Sequence, residues 1–542
     1  MKLKNSINFF KYFKNIINLE LRKFYLNTSY YDGKISKLDT KNLIYRPNLS
    51  TFDSIIKYDK EKINIETLNT NIIWKNYNIN DRSYKKLHNF FWLFSVDLKS
   101  SNEIVQSIIK SWIEKNSKYN DQVWDIDVLS KRVISWLSNS KLTYEDGNDD
   151  FKIQFNFIIR KQLKHLINQI NKSDTIDDKI ISCTAIILGG LCYQDEYLRK
   201  YGFNLLRKII NNCLDKELFP KSRSIRQLAF YLKYLILIRE LLKDSQHEIP
   251  DYLDETIYYL GRGYSYLIGN SNTSFLFNGN NETNNSDFDL YLKSNGYKFK
   301  CDENIIGDYG LLKGKKMSII MDLGKAPENQ FSQNYQSGPL SFELDYLGEK
   351  LICNSGYFQK IDHQLNNISR SSASHSTLTL DNSSVSQFFF ENNSKKLVNK
   401  NFKIISKKVV SDNDKWILEG SHDGYLKRYG VVHCRKIEIS NKDFVINGID
   451  RLLKKKNHKS VTFEIRFHMY PGTKVTKTID GNTILIDMKN AGWKFTCENQ
   501  KINFETGLFF GKKNNYSENQ NIYIYGKTSE NDESINWIFQ KI

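Results

Sequence analysis

Ser341-Phe342-Glu343-Leu344-Asp345-Tyr346 alternates polar and apolar side chains. A period of two is that of a β-strand with one face on a core, so this stretch predicts a half-buried strand. Glu343 and Asp345 share its polar face. Working outward, similar runs recur from about 270 to the C-terminus: Ser274–Asn278, Met317–Leu323, Leu351–Asn354, Thr377–Leu380, Val431–Ile439, Val461–His468 and Ile522–Tyr525. Asp480-Gly481 predicts a tight hairpin between Lys474–Ile479 and Thr483–Met488, and Asp423-Gly424 a second turn.

Upstream of 270 the period changes. Ile104, Val105, Ile108, Ile109, Trp112 and Ile113 recur at helical spacing, as do Val128, Leu129, Val133, Ile134, Trp136 and Leu137. Further helices are predicted over about 151–171, 179–193, 195–214, 222–243 and 252–268. Six prolines serve the whole chain and none lies between Pro47 and Pro220. Short links between successive helices favour antiparallel hairpins. Helices followed by strands predict two domains of α+β class.

The chain has 542 residues, 40% apolar and 26% charged, which is a globular composition with room for more than one core. Its net charge of +18 suits a polyanionic partner, or a lysine-rich solvated surface. The seven cysteines include no CxxC pair and read as free thiols. No apolar run reaches the roughly 20 residues that cross a bilayer. Phe9, Phe10, Phe13, Ile16, Ile17, Leu21 and Phe24 repeat at helical spacing among lysines. That pattern fits an ordinary packing helix, or one lying on an anionic membrane surface. Lys11, Lys14, Glu20, Arg22 and Lys23 interrupt any signal-peptide core, so cytoplasmic residence is one expectation. No helix-turn-helix, zinc-finger or RNP-type motif supports nucleic-acid binding.

Several phrases resemble bacterial heparinase II/III-like proteins. In the helical half these are Lys86-Leu87-His88-Asn89-Phe90-Phe91-Trp92-Leu93 and Arg132-Val133-Ile134-Ser135-Trp136-Leu137. The strand half has Phe275-Leu276-Phe277-Asn278-Gly279, Leu340-Ser341-Phe342-Glu343-Leu344, Cys353-Asn354-Ser355-Gly356 and Ser374-His375-Ser376-Thr377-Leu378. His422-Asp423-Gly424-Tyr425, Gly430-Val431-Val432-His433, Arg466-Phe467-His468 and Gly492-Trp493-Lys494-Phe495 follow in the family's order. The resemblance implies an extension over 1–80, an incomplete (α/α) toroid over 81–269 and an antiparallel β-sandwich-type domain over 270–542. It also implies a lyase of uronate-containing polysaccharide in the cell envelope or periplasm.

A β-elimination needs a base for the proton α to the uronate carboxylate, a group that neutralises that carboxylate, and an acid for the leaving oxygen. Strand alternation puts His375, Thr377 and Thr379 on one polar face, which makes His375 a candidate catalytic residue. Better-characterised members resembled here carry a His-x-His before the "LSFEL" strand, and a metal ligand set that includes an Asp. This chain has Asn334-Tyr335-Gln336 and Asn354 instead. One imidazole among amides is a poor divalent site, so no cofactor or metal is expected. Asn334 or Gln336 is then expected on the carboxylate, with Tyr335 or Tyr231 as base, although the apolar helix around Tyr231 equally suits packing. Arg132, Arg223, Arg226, Arg370 and His433 are candidate substrate-binding residues; the arginines alternatively pair with the protein's own carboxylates. A catalytically inactive glycan-binding or envelope-assembly protein on the same fold is the alternative. A glycoside hydrolase would need a second carboxylate facing Glu343 or Asp345, and none is identified.

Overall fold

The structure, a computed structural model, describes residues 17–56, 74, 82–96, 102–173, 175–268, 274–361, 363–391, 394–397, 402–412, 414–440, 442–455, 458–512 and 515–542. The chain divides into two compact units. One comprises Met1–Asn212 and Lys233–Ile257; the other comprises Cys213–Leu232 and Tyr258–Ile542.

The first unit is helical. Its longer helices are Asn102–Asn116, Ile126–Ser138, Asp149–Gln169 and Ile176–Cys192. Asp125, Asn148 and Thr175 cap three of them by accepting backbone N–H bonds in the first turn. Helix Ile126–Ser138 is buried on nearly every side and packs on Ile176–Cys192, where Ser130 and Ser182 hydroxyls bond at 2.8 Å. Residues from 1–80 belong to this core: Tyr31 Oη bonds His165 Nδ1 at 2.9 Å, and Lys161 pairs with Asp32 at 2.7 Å. Along the helix at 17–26, Ile17, Leu21 and Phe24 are exposed rather than packed. The rest of that apolar stripe, Phe9 to Ile16, lies outside the described residues.

The second unit holds two large antiparallel sheets. One has nine strands and includes Met317–Asp322, Phe342–Tyr346, Glu349–Cys353, Thr462–Met469 and Ser517–Lys527, with Leu378–Leu380 paired onto Thr462–Met469. The other has eight and includes Lys415–His422, Val431–Ser440, Val445–Lys454 and Glu533–Lys541. Their inner faces share one core, in which Phe342 stacks on Trp537 at 5.7 Å and Phe495 meets Phe539 at 4.6 Å. The expected hairpin is present, with Gly481 at φ +73° in the turn between Lys474–Lys477 and Thr483–Asp487.

Three expectations need correction. Phe342–Tyr346 is buried on both faces, because Glu343 finds a buried partner instead of solvent. Ser274–Asn278 is no strand; Leu276 N–H bonds a side chain, the Glu343 carboxylate, in place of a ladder partner. His375 precedes the strand Leu378–Leu380 and follows the short helix Ser372–Ser374, so strand alternation does not set its direction. The helix Ser286–Ser294, after the sequence turns strand-like, was not anticipated.

Gly448 lies opposite Trp537 in the register of Val445–Lys454 with Glu533–Lys541. A Cβ there would stand 2.0 Å from Trp537 Cζ2. Gly448→Ala is expected to cost about 1–3 kcal/mol by forcing the indole off its rotamer. Urea unfolding read by tryptophan fluorescence measures it.

Candidate active site

The second unit gathers the strand-half phrases onto one carboxylate. Glu343 has no exposed surface and pairs with equally buried Lys350. Its Oε1 accepts Leu276 N–H and Asn354 N–H, each at 3.0 Å, and Asn354 Nδ2 at 3.2 Å. The Asn354 Oδ1 then accepts Ser376 N–H at 3.0 Å. Ser376 Oγ donates to Cys353 O at 2.7 Å and accepts His468 N–H at 3.0 Å. His468 Nε2 bonds Ala373 O at 3.0 Å. The backbone around His375 is thereby tied on both sides.

His375 itself is buried. Its Nδ1 donates to Ser371 O at 2.8 Å, which leaves Nε2 as a bare lone pair, and that nitrogen has no hydrogen-bond partner. Burial pulls its pKa down to about 4, against the smaller upward pull of the Ser371 carbonyl. Gly338 makes room for the ring: a Cβ there would lie 2.6 Å from His375 Cδ2.

The segment before the strand splits its residues between structure and site. Gln336 is fully engaged: Oε1 accepts Gly279 N–H at 3.0 Å, and Nε2 donates to Gly356 O and Ser369 O at 2.9 and 2.7 Å. Its expected substrate contact therefore gives way to holding three loops together. Asn334 is half-buried against Gly279, and its amide has no hydrogen bond among the described residues. Tyr335 is buried, and its hydroxyl lies beside Ser386; neither oxygen has a well-formed hydrogen bond. Burial pushes the Tyr335 phenol well up. Arg370 donates through Nε to Tyr335 O and through Nη2 to Ser332 O, both at 2.9 Å, and lies 4.2 Å over the Phe388 ring. Its Nη1 has no partner, and burial draws its pKa down to about 10.

The remaining candidates are occupied elsewhere. His433 belongs to a buried relay in the second sheet. Gly424 N–H bonds His422 Nδ1 at 3.1 Å, His422 Nε2 meets His433 Nδ1 at 3.3 Å, and His433 Nε2 meets Asp450 Oδ1 at 2.6 Å. Arg435 and Trp537 also donate to Asp450. Burial alone would raise the Asp450 carboxyl; Arg435 and His433 outweigh it and hold it low. Sequence reasoning passed over Arg435 and Asp450, which carry no motif of their own.

Arg223 pairs with Asp322 at 2.6 Å, both buried, and its guanidinium lies 4.7 Å over Tyr309. Burial opposes the charge, but Asp322 keeps the guanidinium above its ordinary pKa. Arg226 is half-buried and Tyr231 is buried in its helix against Phe230. In the helical unit Arg132 has no exposed surface at all. Arg132, Arg223 and His433 thus have no free face for a sugar, and their expected substrate contacts become internal ties.

The donors around His375 do not suit a divalent metal. One imidazole nitrogen is available, both polar atoms of the Asn354 side chain are engaged, and Asn334 offers a neutral amide. Among the described residues no three His, Cys, Asp or Glu side chains converge as a ligand set.

Two outcomes are expected. Glu343→Ala strands Lys350 as an unpaired buried ammonium and removes the acceptor of three N–H groups, so it costs roughly 3–5 kcal/mol in urea unfolding, while Lys350→Met with Glu343→Gln costs less. Between pH 6.5 and 4 the unfolded chain binds a proton at His375 that the folded chain refuses. Stability therefore falls as pH drops through that window and is flat above it; this residue contributes roughly 3 kcal/mol of the fall. His375→Gln shallows the slope of the urea midpoint against pH.

Comparison with known proteins follows this geometry. Residues 306–538 match the family described as heparinase II/III-like, C-terminal. No curated protein matches the chain in sequence. A heparinase III crystal structure is 15% identical, with TM-score 0.70, covering 94% of this chain and 88% of that one. A mutant of the heparan sulfate lyase HepC from Pedobacter heparinus is 13% identical, with TM-score 0.65, covering 96% and 88%. The Streptomyces coelicolor A3 chondroitin AC lyase in complex with chondroitin sulphate is 8% identical, with TM-score 0.53, covering 91% and 82%. At these identities the likeness is one of fold, and it extends through the helical half as well as the sheets. Residues 306–538 thus form a heparinase II/III-like C-terminal domain, and that stretch carries the likeness to the heparinase II/III-like family.

Proposed function

We propose that the protein cleaves a uronate-containing anionic polysaccharide by β-elimination, with His375 as base. The observation that carries this reading is the buried Nε2 of His375, proton-free near neutral pH and without a partner. Tyr335 is the complementary group. Burial lowers the pKa of the one and raises that of the other, and separated pKa values divide base from acid. His375 Nε2 takes the C5 proton, the C4–O4 bond breaks to leave a C4=C5 double bond, and the Tyr335 hydroxyl gives its proton to O4. The Asn334 amide, half-exposed and unengaged, hydrogen-bonds the substrate carboxylate as charge develops on it. No step runs through a metal ion.

The net charge of +18 favours a polyanionic substrate. The relatives' names include heparan sulfate lyase and a chondroitin lyase bound to chondroitin sulphate, which supports the sulfated uronate class. The family setting supports the cell envelope or periplasm as the site of action. Among the described residues no helix is long and apolar enough to cross a membrane.

A second reading, glycan binding without cleavage, draws on Gln336 and Asn354. Both stand where the resemblance expects metal-site or catalytic side chains, and both are engaged in internal bonds. Ultraviolet absorbance of the unsaturated uronate separates the two on heparin, heparan sulfate, chondroitin, hyaluronan, alginate and an acidic bacterial exopolysaccharide. The expected result is a rise on at least one substrate that His375→Ala and Tyr335→Phe each reduce about 10²–10⁴-fold. No rise on any of them, with measurable binding to one, would establish the binding protein instead.

A further inference from the structure

The helical unit encloses a cation that no side chain among the described residues balances. Arg132 Nη1 donates to His88 O and Val123 O at 2.9 and 3.0 Å, and Nε donates to Gln162 Oε1 at 2.9 Å. Its Nη2 has no acceptor, and no carboxylate among the described residues pairs with it. The guanidinium lies 4.2 Å over the Trp112 ring and has no exposed surface. Buried guanidinium groups are ordinarily paired, so this one calls for an explanation.

The unsatisfied atoms on its neighbours are donors as well. Trp112 Nε1–H bonds His88 Nδ1 at 3.0 Å, which places the His88 proton on Nε2, and that nitrogen is buried without a partner. Gln162 gives its oxygen to Arg132, and its Nε2 has no acceptor. Trp74, whose ring lies 5.2 Å from His88, also has an unpartnered buried indole N–H. The unpartnered buried acceptor described in this unit, Asn139 Oδ1, stands seven residues along the helix from Arg132, about 10 Å away. A water molecule would add two further donors to this group and find no acceptors for them. An anion satisfies the donors and balances the charge together.

We propose that the core of the helical unit binds a small inorganic monoanion of the halide class, held by Arg132 Nη2 with the Gln162 and His88 N–H groups. Arg132 belongs to the helical unit, whereas His375 belongs to the other unit.

Thermal unfolding of the full-length protein tests this, with sodium chloride or bromide varied from about 5 to 200 mM and ionic strength held constant by sodium gluconate. The expected result is a halide-dependent rise of about 2–4 °C in the unfolding midpoint. Crystals soaked in bromide are expected to show an anomalous peak beside Arg132. Gln162→Glu supplies the missing negative charge within the protein, so it should abolish the halide dependence while remaining folded at low halide. A midpoint indifferent to halide, a water-like peak with no anomalous signal, or a Gln162→Glu variant that keeps the full dependence would each overturn the proposal.

Discussion

Burying the Glu343 carboxylate is the constraint on which the β unit's working parts depend. An ion pair inside a protein is stable only when its remaining hydrogen-bonding capacity is met with good geometry. Here Lys350 supplies the charge, while Leu276, the Asn354 backbone and the Asn354 amide supply N–H groups. Those donors come from segments separated by up to 78 residues, so satisfying one carboxylate fixes the entry to the domain, the turn after Glu349–Cys353 and, through Asn354 and Ser376, the segment bearing His375. The phrases that the sequence spaces apart act as one network because each contributes a bond to it.

The buried arginines divide by whether a carboxylate meets them. Arg223 has Asp322, and Arg435 has Asp450 on both forks, so both are internal ties with charge balanced on the spot. Arg132 and Arg370 are held by carbonyl, amide and aromatic contacts, with one Nη atom left over on each. Carbonyl oxygens satisfy N–H geometry but supply no full negative charge. At Arg132 the proposed anion would complete the set.

Much of the architecture was legible. The helices at 102–116, 126–138, 149–169 and 176–192 repeat their apolar residues cleanly, and Asp125, Asn148 and Thr175 mark their starts. Several strands, Met317–Asp322, Val431–Ser440 and Thr462–Met469 among them, were readable from their apolar or alternating runs, while Ser274–Asn278 was misread, because an apolar run cannot reveal that an N–H group bonds a side chain. Motif position singled out His375 and Asn334, which the proposed function uses. The roles of Gln336, Arg132 and His433 were hidden, since burial and partners arise from contacts between residues far apart in sequence. Polar residue type alone does not say whether its bonding capacity is spent inside the protein.

The amide at 354 shows why the metal chemistry and the scaffold are linked. An aspartate there would set a second carboxylate beside Glu343, which already pairs with Lys350, and its side chain would have no N–H to give. Asparagine donates to Glu343 from Nδ2 and accepts Ser376 N–H at Oδ1, closing both gaps without added charge. A carboxylate at this position is tolerable where a bound cation balances it. With Gln336 clamping Gly279, Gly356 and Ser369 as a neutral group, the surroundings of His375 are assembled from amides and hydroxyls. In the proposed elimination such a site would stabilise the developing carboxylate charge by hydrogen bonding, and that proposal rests on the Asn334 amide and the unpartnered His375 nitrogen.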